Sequence, residues 1–325
     1  MHTGISCAAG WKAARTYDSA TVNRTLEGSA QIVKRATCES PLISVVLPTF
    51  NRHAMLPDSI ESVLSQTEPN LELIIVDDGS TDSSGETICH YAKRDDRITH
   101  VRQQNLGLPK ALNNGFRLAR GEYFTWTSDD NRYFADALAV MSRHLRDDPE
   151  IGLVHAELLV RMPEGLVHMP FRAPEDFWSQ NTFGGAFMYR RSVAEIVGEY
   201  DPELKMVEDY DYFLRISYHA IVRHLPYVVY EHREHAGSLT NLGRMEQYLA
   251  LERMLRRHVG LRKAKRWQLS RLAATVARSC RIIGKPRDAA RLAVLSWRLW
   301  PFNLRSYWTL LLSLGRCIFP ARKQR

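Results

Sequence analysis

Ile43 to Phe50 (ISVVLPTF) is a nearly unbroken run of apolar, mostly β-branched residues, the pattern of a strand buried on both faces. Beyond it, Leu56, Ile60, Val63 and Leu64 recur at i, i+4, i+7 and i+8, which predicts an amphipathic helix. Leu71 to Val76 (LELIIV) predicts a second buried strand, closed by Asp77, Asp78 and Gly79. A helix over about residues 83–94 follows, then a short strand, Ile98 to Arg102, and a helical face of Leu108, Ala111, Leu112, Gly115 and Ala119. Glu122 to Thr127 (EYFTWT) predicts another strand, running straight into Ser128, Asp129 and Asp130. This alternation predicts an α/β fold: a Rossmann-like, mostly parallel central sheet with flanking helices. From 151 to 240 the pattern is mixed, with strands near Gly152 to Val160, Phe183 to Tyr189 and Val222 to Tyr230, and a helix over Val207 to Tyr218. After Gly243 it is helical, with breaks at Gly260, Gly284/Pro286 and Pro301.

Composition changes this picture little. Of 325 residues, 45% are hydrophobic and 25% charged, which excludes collagen-like, low-complexity and wholly disordered chains. Five cysteines without a CxxC pair suggest neither a disulfide framework nor a zinc ribbon, so a cytoplasmic location is the expectation. Residues 1–40 are polar and read as a flexible leader; Lys12 and Arg15 interrupt any apolar run of a secretion signal. The uncharged stretch Ser306 to Gly315 is far shorter than the roughly 20 residues of a spanning helix. The expected organisation is leader 1–40, catalytic domain 41–242 and helical region 243–325.

Charge separates the last of these from the rest. The net charge is +8, but residues 251–325 carry 19 Lys/Arg against Glu252 and Asp288, a net of +17, leaving −9 for the remainder.

In parallel α/β sheets ligands gather beyond the carboxyl ends of the strands. There the chain places Thr49, Asn51 and Arg52, then Asp77 and Asp78, then Asp129 and Asp130, with a third acidic cluster, Glu208, Asp209 and Asp211, around a later helix start. So many negative charges on one rim call for a cation. Oxygen ligands select Mg²⁺ or Mn²⁺, which take one or two carboxylates and fill the shell with substrate phosphates. Each acidic pair read alone is equally a turn former or helix cap.

The segments ISVVLPTFNR, LELIIVDDGSTD, NLGLPKALNNGFRLARGEY and WTSDDN, followed by ED at 208 and HREHAGS at 232, resemble family 2 inverting glycosyltransferases of the GT-A fold over about residues 41–240. The resemblance implies that Pro48, Thr49, Asn51 and Asp77 line the base and ribose pocket, with Asp78 shaping its floor. It implies Asp130 as direct metal ligand, Asp129 as ribose or indirect partner, and His235 completing the metal shell, with Arg233 and Ser238 on phosphate oxygens. Asp209 takes the general-base position, although Glu208 or Asp211 could hold that role: on a helix 208 and 211 share a face while 209 points away. Gly184 and Gly185 resemble the acceptor-side loop, where a missing side chain permits close approach of substrate. The departure is Thr127, which stands at the first Asp of the more usual DxDD form.

The implied activity is transfer of a hexosyl or deoxyhexosyl group from a nucleoside diphosphate sugar to a glycan or lipid-linked acceptor of the cell envelope. A nucleotidyltransferase or an inactive membrane- or polyanion-binding module are the rivals. The aromatic segment Trp297 to Phe319, flanked by arginines, fits either an interfacial helix on an anionic membrane or a helical bundle docked on the catalytic body. No nucleic-acid recognition motif is present, and no nucleic-acid partner is expected.

Overall fold

The computed structural model describes residues 16–17, 43–162, 164–169, 177–179, 181, 183–235, 237 and 244–318. Most of the leader expected over 1–40 lies outside the described residues; Thr16–Tyr17 (β1) forms an edge strand against Leu166 and Val167.

Every residue of Ile43–Thr49 (β2) and Leu71–Asp77 (β3) is buried, as their continuous apolar runs require. With helix Leu56–Leu64 (α1) between them, and Ser84–Ala92 (α2), Ile98–Arg102 (β4), Leu108–Leu118 (α3) and Tyr123–Trp126 (β5) following, they build a parallel half-sheet ordered β4-β3-β2-β5. The chain then forms Arg132–Tyr133 (β6), Ala137–Asp147 (α4), Ile151–Met162 (β7), Gly165–Met169 (β8), Phe187–Arg190 (β9), Arg191–Val197 (α5), Glu208–Ile216 (α6) and Ile221–Arg233 (β10). Strand β9 runs antiparallel between β5 and β7, and β10 lies parallel to β7, so the sheet turns mixed in the part where the sequence pattern does. The strand expected from Phe183 starts only at Phe187, because Gly184, at φ +50°, turns the chain first.

Alternate residues of each strand face opposite sides, which gives the sheet two cores. Val45, Leu47, Leu73 and Ile75 pack against α1 and α4. Val46, Ile74, Phe124 and Trp126 pack in one continuous cluster with α3, α6 and the C-terminal helices Arg244–Leu261 (α7), Arg266–Ile282 (α8) and Pro286–Leu299 (α9). Of the two readings of the C-terminal region, the docked bundle therefore describes α7 to α9, whose Met254, Leu255, Leu272 and Val276 share one core with the α/β sheet. The final helix is Leu304–Ile318 (α10). The break expected at Gly260 falls after Leu261, where Arg262 takes φ +52°. Among the described residues no helix is long and apolar enough to cross a membrane.

Candidate active site

Strands β2, β3 and β5 end on one edge. Thr49 lies opposite Asp77 and Val46 opposite Trp126, so the loops after all three leave the sheet together. Pro48 fits there because β5 has already left β2: the N–H that proline lacks would face no strand. Asn51, at φ +55°, staples two of the loops; its Oδ1 accepts from Thr81 N at 2.7 Å and its own N–H donates to Ser80 Oγ at 3.0 Å. Buried Asp77 accepts from Ser80 N at 2.8 Å and lies 3.6 Å from Arg102 Nε. Asp78 spends both oxygens on the loop before α3, accepting from Gln103 Nε2, Leu106 N and Gly107 N at 2.7 to 2.9 Å.

Asp129 and Asp130 emerge together and diverge. Asp129 is buried and accepts from Phe50 N at 3.2 Å, with Arg52 Nε at 3.9 Å. Burial, and then the neighbouring Asp130 charge, push its carboxyl up to about 6. Asp130 points its Oδ2 at His235 Nε2, 3.0 Å away, with side chains 14% and 19% exposed. The contact follows from the pairing of β6 with β10: Tyr133 opposes Tyr230 and Arg132 opposes Glu231, while Arg233 N donates to Asn131 Oδ1, which carries the end of β10 back over the Asp pair. Gly237 N lies 3.2 Å from His235 Nδ1, which orients the ring with Nε2 towards Asp130. Arg52 Nη2 donates to Gly237 O at 2.6 Å and closes this loop over the rim.

Thr127 does not reach the rim. It is fully buried and shares a 2.9 Å hydrogen bond with Tyr230 OH, so its side chain is used underneath the Asp pair. The same Tyr230 ring explains Gly185, where a Cβ would lie 2.3 Å from Tyr230 Cζ. Gly184 owes its identity to its positive φ. Both glycines thus have reasons inside the protein, where the resemblance implies a substrate's approach.

The acidic cluster at the start of α6 divides as the helical spacing predicts. Glu208 and Asp211 are buried, and Asp209 is half-buried. Asp209 Oδ2 accepts from Asn181 Nδ2 at 2.6 Å and Oδ1 from Tyr210 N at 2.7 Å; burial raises its pKa above the usual carboxylate value. Burial and the adjacent Asp209 charge push Glu208 up to about 8, and its Oε2 has no hydrogen-bond partner. The structure takes Asp211 away from the other two. Burial alone would raise it, but hydrogen bonding to His258 and the charges of Arg215 and Arg257 hold it below its usual value, with Arg215 Nε at 2.7 Å and His258 Nε2 at 3.1 Å.

Arg233, expected on phosphate, instead pairs with Asp58 Oδ2 at 2.9 Å and lies 3.5 Å from Glu231. Ser238 lies outside the described residues. Two residues of the site carry little signal in the sequence. Arg52 stands out there only as a polar residue after β2, and nothing marks it as the link between Asp129 and the His235 loop. Asn181 has no signal beyond its place just before Gly184 and Gly185.

A curled α/β sheet carrying acidic residues at the carboxyl ends of its strands is the GT-A architecture, and solved structures agree. S. aureus TarS 1-349 in complex with UDP-GlcNAc superposes with a TM-score of 0.68 at 15% identity, over 84% of this chain and 88% of that one. The mannosyltransferase PcManGT from Pyrobaculum calidifontis, in complex with GDP-Man and Mn²⁺, gives 0.56 at 21% identity over 92% and 93%. A PGL/p-HBAD biosynthesis glycosyltransferase of Mycobacterium tuberculosis is 28% identical over 205 residues, 62% of this chain and 80% of the relative. Residues 44–197 match the family described as Glycosyl transferase family 2. Residues 44–197 thus form a family 2 glycosyltransferase domain.

Proposed function

We propose that the chain transfers a sugar, with inversion, from a nucleoside diphosphate sugar to a hydroxyl of a cell-surface glycan or its lipid-linked precursor, at the cytoplasmic face of the membrane. Its main support is the Asp130–His235 pair, set at the strand ends beside Asp129 and Arg52. The two solved relatives bind UDP-GlcNAc and GDP-Man, which favours this donor class. The mycobacterial relative's role in PGL/p-HBAD biosynthesis favours an envelope acceptor.

The pair suits a divalent cation. A carboxylate oxygen suits Mn²⁺ or Mg²⁺, an added imidazole nitrogen favours the transition ion Mn²⁺ of the two, and both side chains are partly exposed. Among the described residues no three His, Cys, Asp or Glu side chains form a metal site, so a cation held by this pair would take its remaining ligands from the diphosphate and water. Asp130 and His235 would hold the ion, which when bound offsets charge developing on the departing diphosphate. Thr49, Asn51 and Asp77, with Pro48, border the base and ribose, and Arg52 supplies the positive charge at the rim that Arg233, paired to Asp58, does not.

Asp209 is the base. Asn181 and Tyr210 N fix its carboxylate, and its raised pKa strengthens it as a proton acceptor. As the acceptor oxygen bonds to the anomeric carbon and the bond to diphosphate breaks, the hydroxyl proton passes to Asp209. Glu208, pushed to about 8, is protonated at neutral pH, and Asp211 is locked in its ion pairs.

Incubation with UDP-, GDP- and dTDP-sugars and Mn²⁺ or Mg²⁺ should release nucleoside diphosphate, and NMR of the product should show the anomeric configuration opposite to the donor. Retained configuration would overturn inversion. Pyrophosphate release from nucleoside triphosphates, with none from nucleotide sugars, would make it a nucleotidyltransferase.

A further inference from the structure

Helix α10 is built inside out. Its serines and threonine face the bundle: Ser306 is 1% exposed, Thr309 8% and Ser313 0%. Its large apolar residues face outward, with Leu304 72%, Trp308 69% and Leu311 61% exposed, joined by Tyr307 and Leu312 at the i, i+3, i+4, i+7 and i+8 positions of one stripe. The buried hydroxyls are satisfied by carbonyls of their own segment: Ser306 Oγ donates to Asn303 O, Thr309 Oγ1 to Arg305 O and Ser313 Oγ to Thr309 O. Asn303 at the head of the helix donates to Ser270 Oγ at 3.0 Å and Ser296 Oγ at 3.2 Å, tying it to α8 and α9. Leu310 packs on the core beside these small residues, and Leu304, Trp308, Leu311 and Leu312 are left uncovered. Trp300 and Phe302, edge to face at 5.6 Å between ring centroids, extend the surface past the α9–α10 corner. A contiguous exposed patch of this kind marks an interaction surface.

Charge selects what covers it. After Asp288 the sequence contains no acidic residue and seven Lys/Arg. Arg298 and Arg305, both exposed, flank the apolar stripe. A second copy of the chain would bring the same positive charges against them, whereas an anionic lipid surface complements both the charge and the apolar stripe. At 15 residues α10 would reach only about 22 Å, short of the roughly 30 Å hydrocarbon core, so it lies along a bilayer rather than through it.

We infer that the outward face of α10, with the α9–α10 corner, docks the protein on an anionic membrane surface. The inference takes its purpose from the lipid-linked acceptor proposed above, but its test uses neither donor nor acceptor. The intact chain is sedimented with vesicles of phosphatidylcholine alone and of phosphatidylcholine mixed with phosphatidylglycerol. It should bind the mixed vesicles, less as salt rises. A Trp308→Ser, Leu311→Ser variant, both changes at exposed positions, should lose partition about tenfold or more while keeping its thermal unfolding and its nucleotide-sugar affinity.

Equal binding by the variant, or no binding by the intact chain, would overturn the inference. An intact chain that is dimeric by light scattering, becomes monomeric in the variant and ignores vesicles would instead assign the face to a second copy. None of these results bears on sugar transfer to a soluble acceptor, and absence of transfer would leave membrane binding measurable.

Discussion

His235 Nε2 meets Asp130 Oδ2 at 3.0 Å across 105 residues of sequence. The two come from strands that serve different halves of the sheet: β5 ends the parallel half, and β10 runs parallel to β7 in the mixed half. The short antiparallel pairing of β6 with β10 fixes their register, and Arg52 clamps the loop that carries His235 through its bond to Gly237 O. The end of the later strand is therefore brought over the strand ends of the parallel half.

If that pair holds the cation, Asp130→Ala should weaken Mn²⁺-dependent nucleotide-sugar binding by roughly 100-fold or more, and His235→Ala by about tenfold. Both side chains are partly exposed, so thermal unfolding should move little. Calorimetric titration with and without Mn²⁺ measures this. Unchanged donor affinity in Asp130→Ala, with the metal still required, would remove Asp130 from the site.

Asp209→Asn should leave donor affinity nearly intact and lower transfer by about 10² to 10⁴, the signature of a group that acts on the acceptor proton in the transition state. Asn181→Ala, which frees Asp209 Oδ2, should lower the rate by a smaller factor. Near-normal transfer by Asp209→Asn would send the search for the base back to Glu208.

Glu208 gives a pH-dependent test of the same division. Its folded pKa, about 8, is raised from 4.5, so its contribution to stability is full below about 4.5 and declines as pH rises through about 8. Glu208→Gln resembles the protonated form and should escape that decline. Urea denaturation of the two proteins between pH 5 and pH 9 should therefore show the variant gaining on the parent as pH rises, with a slope of at most about 1.4 kcal/mol per pH unit. A constant difference over that range would show that Glu208 is ionised in the fold.

The α/β alternation and the strand-end acids were legible because a strand buried on both faces must be an unbroken apolar run and its polar successors stand out. The helical spacing also separated Asp209 from Glu208 and Asp211. What it could not supply was the outcome of distant pairing. Arg233 is taken up by Asp58, 175 residues earlier, and Gly185 by the ring of Tyr230. Helix α10 shows the same limit: spacing reveals a stripe of leucines and aromatics, but only the packing of Ser306, Thr309 and Ser313 shows that this stripe faces outward.

Asp211 should behave as a structural residue where Asp209 behaves as a chemical one. It lies wholly buried between α6 and α7, held by Arg215 and His258 with Arg257 at 3.9 Å. Removing one member of such a buried set leaves the others uncompensated, so Asp211→Ala should cost about 3 to 5 kcal/mol of stability. Its depressed pKa sets the sign with pH: the contribution is present above the unfolded value of 3.8 and fades as pH falls through the lower folded value. The gap between parent and variant in urea denaturation should accordingly be full at pH 7 and shrink towards pH 3. Transfer activity at low temperature should track the folded fraction of the variant. A variant that is fully folded yet inactive would place Asp211 in the reaction and displace Asp209 from the role assigned to it.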